Sequence, residues 1–219
     1  MARTPESNTQ FVLAAIQKMA DVVQSLEIAS PYSFVVTRNQ LPTVTVGVIS
    51  VAPHVERHHV KQVLAIDDTI DFLTNIPKAS IWTGEAIHEV KSNNFAFGSM
   101  KNLMSSLREE NVRDWIDAES SFFQRVLRQH NAVVSFTQIA DRNYLITRKT
   151  GPQLRAVILN EYELSAQTVR EAKDIYGDFE IIVATNPNVG PTEEAKRIAP
   201  TLNIEQHVLR TFLGRLNSP

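Results

Sequence analysis

The chain is expected to adopt an α/β or α+β fold, a mixed sheet flanked by helices, with an N-terminal helix plus β-hairpin extension. Three observations lead there. From Ala132 to Leu216 the residues read as three short strands, then helix, strand, helix, strand, helix. The runs Leu154–Leu159 and Phe179–Thr185 are apolar enough to lie centrally in a sheet. The 219 residues are 43% hydrophobic and 21% charged, an ordinary balance for a chain with a buried core.

In chain order, Phe11, Val12, Ala15, Ile16, Met19, Val22, Val23 and Leu26 recur at helical spacing behind a cap at Ser7 to Thr9. Tyr32 to Thr37 and Val44 to Val51, joined through Asn39-Gln40-Leu41-Pro42, predict a hairpin. The segment from His54 to Leu73 reads two ways: Val60, Val63 and Leu64 fit a helix, but the preferred reading is a strand over His59 to Ile66 and a short helix over Asp67 to Thr74. Ile81 to Leu107 predicts a longer helical region, interrupted at Asn93-Asn94 and at Gly98 by poor helix formers. A second helix is expected from about Asp114 to Gln129, with Trp115, Phe122, Phe123, Val126 and Leu127 on its apolar side.

Strands at Val133 to Ile139, Asn143 to Arg148 and Leu154 to Leu159 follow. Ser165 is placed to cap a helix over Ala166 to Tyr176, which Gly177 ends. Phe179 to Thr185 is a buried strand, Thr192 caps a helix over Glu193 to Ala199, Leu202 to Glu205 is a last strand and Val208 to Leu216 a last helix. No internal repeat is read from the residues.

Composition narrows the function classes. Lys+Arg number 22 against 24 Asp+Glu, so the net charge of -2 carries no positive stripe for non-specific nucleic-acid binding. Without cysteine there is no disulfide framework and no thiolate zinc site. No stretch approaches the roughly 20 apolar residues that span a bilayer, and the first residues lack a signal-peptide core. The expectation is a cytoplasmic protein with no membrane partner.

One resemblance comes into view at Ala184-Thr185-Asn186, Ala195 and Ala199, Leu202 to Glu205, and Phe212-Leu213-Gly214-Arg215-Leu216. The segment Ile181 to Leu216 resembles the end of the Mrr-like restriction-endonuclease domain of the PD-(D/E)xK superfamily. With the preceding helix and three strands, the resemblance runs from Glu119 onward. It implies a restriction-endonuclease-like domain over 111–219 and leaves the helix, hairpin and helical region of 1–110 unassigned.

It also implies a site. In that superfamily an acid sits near the second strand, an Asp/Glu-x-Lys triplet on the third, and an acid on the first helix often assists. Carboxylates hold Mg²⁺, the ion polarises the phosphodiester and acidifies a water, and lysine stabilises the attacking species. Carried over, Glu119 takes the helix position, Asp141 precedes the second strand and Glu161 ends the third. The triplet reads Glu161-Tyr162-Glu163, or Leu159-Asn160-Glu161 in a shifted register, and neither holds lysine. A lysine would have to come from Lys173 on the following helix or from Lys149. The implied catalytic set is Glu119, Asp141, Glu161 and Lys173. The implied metal set is Asp141, Glu161 and Glu163, with Mg²⁺ the cofactor of an active site.

Plainer readings stand beside these. Glu161 and Glu163 precede the helix capped by Ser165, where negative charge is favoured anyway. His54, His58 and His59 would need one shared helix face to bind a transition metal. The loop Asn186 to Thr192 could take a phosphate at a helix N-terminus, but lacks P-loop glycine spacing. Ser92 to Met100 sets Phe95 and Phe97 among small polar residues, a place for base stacking or for core packing. Enzyme status therefore stays open. The leading expectation is a pseudonuclease, a nuclease fold with a degenerate site that binds nucleic acid or a protein partner in prokaryotic defence or DNA processing. The alternatives are an active Mg²⁺ nuclease with a displaced lysine and a structural or interaction protein. A homodimer fits any of the three.

Overall fold

In the computed structural model, residues 4–161, 163–186, 188 and 190–218 are described. The chain divides into two units, Met1–Asp117 and Ala118–Pro219. The sequence reading had divided it between residues 110 and 111.

Unit 1 runs α1 (Pro5–Ile16), β1 (Val23–Ser30), β2 (Ser33–Arg38), β3 (Leu41–Ile49), β4 (His54–Val55), α2 (Arg57–Leu64), β5 (Phe72–Asn75), β6 (Ile81–Trp82), α3 (Gly84–Ser92), β7 (Ala96–Ser99) and α4 (Met100–Ser106). Its main sheet has the order β1-β2-β3-β5-β7. Strand β2 is antiparallel to both neighbours, and β3, β5 and β7 are parallel. The sheet is covered on both faces. Val12 and Ile16 of α1 and Leu103 and Leu107 at α4 pack with Phe34, Val46 and Phe72. Val60 and Val63 of α2 and Ile87 and Val90 of α3 pack with Ile49 and Leu73.

Unit 2 runs α5 (Ala118–Gln129), β8 (Val133–Ala140), β9 (Asn143–Arg148), β10 (Leu154–Leu159), α6 (Ala166–Tyr176), β11 (Ile181–Ala184), α7 (Glu193–Ile198), a 3-10 turn (Ala199–Leu202), β12 (Glu205–Val208) and α8 (Leu209–Leu216). The order is β8-β9-β10-β11-β12, with β9 antiparallel to its neighbours and β10, β11 and β12 parallel. Val157 pairs with Ile182. Along β10, Ala156 and Ile158 join Phe123, Leu127 and Phe212 on one face, while Val157 and Leu159 join Val169, Ala172 and Ala195 on the other. A strand buried on both faces is apolar along its length, and β10 reads that way except at the exposed Arg155.

The two units are the same architecture twice. The equivalence reaches single hydrogen bonds. Thr45 N–H donates to the Asp71 carboxylate and Asp71 N–H to Thr45 C=O; Arg155 N–H donates to the Glu180 carboxylate and Glu180 N–H to Arg155 C=O. Val55 pairs with Trp82 just ahead of α2 and α3, and Leu164 bridges to Pro191 just ahead of α6 and α7. Thr83 and Thr192 cap α3 and α7 and donate their N–H to Val55 and Leu164. Arg38 and Arg148 end β2 and β9 and reach the backbone at the close of α4 and α8. Their neighbours Thr37, Pro42, Thr147 and Pro152 are the same residue types at the same spacing.

Several expected elements of unit 1 are corrected. The first helix stops at Ile16, and Val23 and Leu26 belong to β1, the first strand of a meander rather than a helical stripe. Met19 N–H bonds Ile16 C=O and Val23 N–H bonds Met19 C=O, turns that redirect the chain. The helix and strand expected between His59 and Thr74 exchange places, as α2 and then β5. The helical region from Ile81 contains two strands, with Asn94 in the left-handed region at φ 56° leading into β7. Trp115 packs on Phe72 in unit 1 and is not part of α5, while Phe122 is exposed. In unit 2 the last strand falls at Glu205–Val208 instead of Leu202 to Glu205.

Candidate functional site

The carboxyl ends of β10 and β11 carry the polar constellation of unit 2. Glu119 lies in the first turn of α5. Its side chain is only 8% exposed and pairs with the Arg142 guanidinium at 2.7 Å. The Thr185 hydroxyl, just past β11, donates to its other oxygen at 2.5 Å and lies 3.3 Å from Leu159 C=O. Asp141 and Arg142 form the β8–β9 turn. Gln138 Nε2 donates to Asp141 C=O at 2.8 Å, and Ile158 N–H donates to Arg142 C=O at 3.0 Å. That second bond fixes Arg142 beside the end of β10.

Tyr176, at the end of α6, packs against the cluster of Val157, Leu159 and Val169. Burial pushes its phenol well above the ordinary tyrosine range, the negative charges of Asp141 and Glu119 push the same way, and Arg142 opposes them. Glu119, Arg142 and Thr185 thus come together, although they are spread over 66 residues of sequence.

The other implied residues stand elsewhere. Glu161 and Glu163 are exposed, and Tyr162 between them lies outside the described residues. The Glu161 backbone C=O lies 3.5 Å from Asn186 Nδ2. Lys173 sits in the last turn of α6, 3.0 Å from Asp178 and over the Phe179 ring, at the start of β11 rather than its end. Lys149 follows β9 at the end remote from Asp141, some 20 Å away at about 3.3 Å per strand residue.

These residues do not fit Mg²⁺. A hard divalent cation needs several free oxygens, yet both Glu119 oxygens are engaged by Arg142 and Thr185. Among the described residues no three His, Cys, Asp or Glu side chains come together as a metal site. The metal set Asp141, Glu161 and Glu163 is therefore not assembled.

Unit 1 offers the same positions with different chemistry. Matching the strand registers and turn hydrogen bonds sets Tyr32 against Arg142 and Ile76 against Thr185. Asn8 Oδ1 is buried with no hydrogen-bond partner among the described residues, and the Tyr32 hydroxyl accepts from Gln62 at 3.0 Å.

His54, His58 and His59 do not share one helix face. His54 lies on β4, apart from α2; the His59 ring accepts from Glu56 N–H, and His58 stands 3.3 Å from the Glu56 carboxylate. Phe95 is core and Phe97 packs on Trp82. In the Asn186 to Thr192 loop, Pro187 and Val189 lie outside the described residues. Thr185 was in view within Ala184-Thr185-Asn186, whereas Arg142, in the β8–β9 turn, had no signal of its own.

Among the described residues no helix is long and apolar enough to cross a membrane. Comparison with protein-family models, with curated proteins and with solved structures finds no match for this chain.

Proposed function

We propose that the chain is a tandem pair of restriction-endonuclease-like units that does not cleave phosphodiesters and acts by binding nucleic acid or a protein partner. The fold half of this reading is supported by the sheet order and by the lone antiparallel second strand in each unit. The functional half is carried by one observation: the helix acid of unit 2, Glu119, is already neutralised by Arg142. Lys173, the nearest thing to a catalytic lysine in the chain order, is held by Asp178. In unit 1, Tyr32 and Ile76 stand where unit 2 has Arg142 and Thr185, and the first-turn acid of α1, Glu6, is exposed.

A binding role fits unit 2 better than unit 1. Unit 2 carries 12 basic against 11 acidic residues and unit 1 carries 10 against 13. Nucleic acid would therefore be held through a few local contacts, and its affinity would fall with salt according to the number of phosphates touched.

The test uses purified full chain with plasmid and with linear single-stranded DNA, in Mg²⁺ or Mn²⁺. No cleavage is expected in either metal, and a gel shift that weakens between 50 mM and 200 mM salt is expected with one of the DNAs. Cleavage abolished by Glu161→Ala would overturn the reading. A chain that neither cleaves nor shifts DNA leaves the protein-partner form of the proposal standing.

A further inference from the structure

We propose that the face of unit 2 built by α5, β8 and α8 is a docking surface for single-stranded nucleic acid, its arginines taking phosphates and its outer phenylalanine rings taking bases. This deepens the nucleic-acid form of the proposed function and rests on it, whereas the surface stands on the side chains of unit 2 alone. The first observation is how charge is sorted. α5 and α8 lie side by side on one face of the sheet, where the Phe123 and Phe212 ring centres are 5.6 Å apart, and Phe136 of β8 packs against the same cluster. Of the 11 acids of unit 2, Glu119 alone falls on these three elements, against Arg125, Arg128, Arg210 and Arg215. Glu119 is itself buried against Arg142. α6 and α7, on the opposite face, carry two basic and two acidic residues each and make no comparable field. A chain of net charge -2 therefore keeps one positive face.

The second observation is what the arginines rest on. Arg125 stands over the Phe122 ring at 5.7 Å and Arg128 over the Phe136 ring at 5.6 Å. Arg125, Arg128 and Arg210 are exposed and make no ion pair among the described residues. Phe122 is 37% exposed on a helix whose Phe123 and Leu127 are fully buried, so its ring is held out of the core. A guanidinium lying on such a ring forks to a phosphate while the open part of the ring receives a base. Single strands present free base faces for this. Duplex bases are stacked on one another, and a lipid headgroup has no ring to offer.

The experiment follows fluorescence anisotropy of the full chain with labelled DNA and RNA single strands of about 20 nucleotides, and with the matching duplex, between 50 and 200 mM salt. A single strand of at least one kind should bind more tightly than the duplex and weaken with salt. Arg125→Gln/Arg128→Gln should lower that affinity about tenfold or more and flatten the log–log salt slope by about 1.4, two phosphates at about 0.7 each. Phe122→Ala should lower it about tenfold with the slope unchanged, because stacking releases no counter-ions. Should Phe122→Ala fail to fold, Phe122→Leu takes its place, keeping apolar bulk and losing the ring. A matched loss of exposed charge on the opposite face, Arg170→Gln/Arg197→Gln, should leave affinity and slope as they were. Equal weakening by the two arginine pairs, unchanged binding in Arg125→Gln/Arg128→Gln, or tighter binding of the duplex overturns the inference and leaves nucleic-acid binding in place. Competition by vesicles of mixed phosphatidylserine and phosphatidylcholine overturns it in favour of a lipid surface. An unaltered chain that binds none of the oligonucleotides overturns both this inference and the nucleic-acid form of the proposed function.

Discussion

Arg38 and Arg148 are buried cations that make no ion pair among the described residues. Arg38 donates to Pro42 C=O at 2.6 Å and to Leu107, Glu109 and Glu110 C=O at 3.1, 2.5 and 3.2 Å. Arg148 donates to the carbonyls of Pro152, Arg215 and Ser218. Each therefore sits at the negative end of a helix dipole and pairs last-turn carbonyls that the helix itself leaves open. Burial pulls both guanidinium groups below the usual arginine range, and Arg215 adds to this for Arg148. Arg38→Met or Arg148→Met should each cost about 3 kcal/mol in urea unfolding, since the carbonyls lose their donors inside the protein. Lysine at either position should recover only part, because one ammonium cannot fork to carbonyls from two segments. A loss under about 0.5 kcal/mol for both methionine variants would refute the clamp. Asp67 provides a pH test. Burial raises its pKa, but hydrogen bonds from Ser33 and from Thr69 N–H and hydroxyl outweigh this and hold it below the ordinary aspartate range. A folded value below the unfolded one stabilises above the unfolded pKa, about 3.9, and the gain is lost as pH falls through the folded value. Asp67→Asn should cost about 1 kcal/mol at pH 7 and converge with the unaltered chain in acid. A constant difference across pH 2 to 7 would place its cause elsewhere. The Thr-Arg-x-x-x-Pro spacing of both clamps was open to view in the residues, but with few other identities around it the repeat does not stand out.

At the scale of elements, the caps set how each crossover begins. Thr83 accepts from Ala86 N–H and Thr192 from Ala195 N–H, and each also donates its own N–H to the strand residue that precedes the earlier helix of its unit. Alanine at either threonine should cost about 1 kcal/mol and serine much less. Chemical denaturation of Thr83→Ala, Thr83→Ser and the matching Thr192 variants checks this; serine variants as unstable as alanine would mean that the methyl group matters, not the hydroxyl. Unit 2 was legible for reasons of this kind. Ser165 and Gly177 bound α6 with a side-chain cap and a positive-φ stop, and β10 is apolar but for the exposed Arg155. Unit 1 was not, because its signals conflict. Val22, Val23 and Leu26 continue the helical spacing of α1 even though the chain turns after Ile16. The α2 helix has only Val60 and Val63 fully inside, a stripe too short to outvote its histidines. Strand β7 is four residues long and ends at Gly98 and Ser99, which looks like a damaged helix until β5 is found beside it. With β1 and β7 unseen, unit 1 had lost both edges of its sheet and could not be recognised as a second copy.

For the molecule as a whole, the consequence of the repeat is that each unit owns everything a folded domain needs. The hydrophobic clusters of unit 1 draw only on residues before Ala118, and those of unit 2 only on residues after Asp117. Each five-stranded sheet is formed by strands of one unit and covered by helices on both faces. The site is divided in the same way: Glu119, Asp141, Arg142, Tyr176 and Thr185 all belong to unit 2. A domain of this length buries roughly two thirds of its unfolded surface, enough for independent folding. A fragment of residues 118–219 should therefore unfold in one cooperative transition in urea, with an m-value of about 1–2 kcal/mol/M. It should also keep the Glu119–Arg142 pair, which the same fragment carrying Arg142→Ala would report as a lowered midpoint. Dispersed amide resonances from the fragment would establish the folded state directly. A fragment that stays unfolded, or that folds only when residues 1–117 are added in trans, would mean that the two units complete each other's cores and that the chain is one domain built from a repeat.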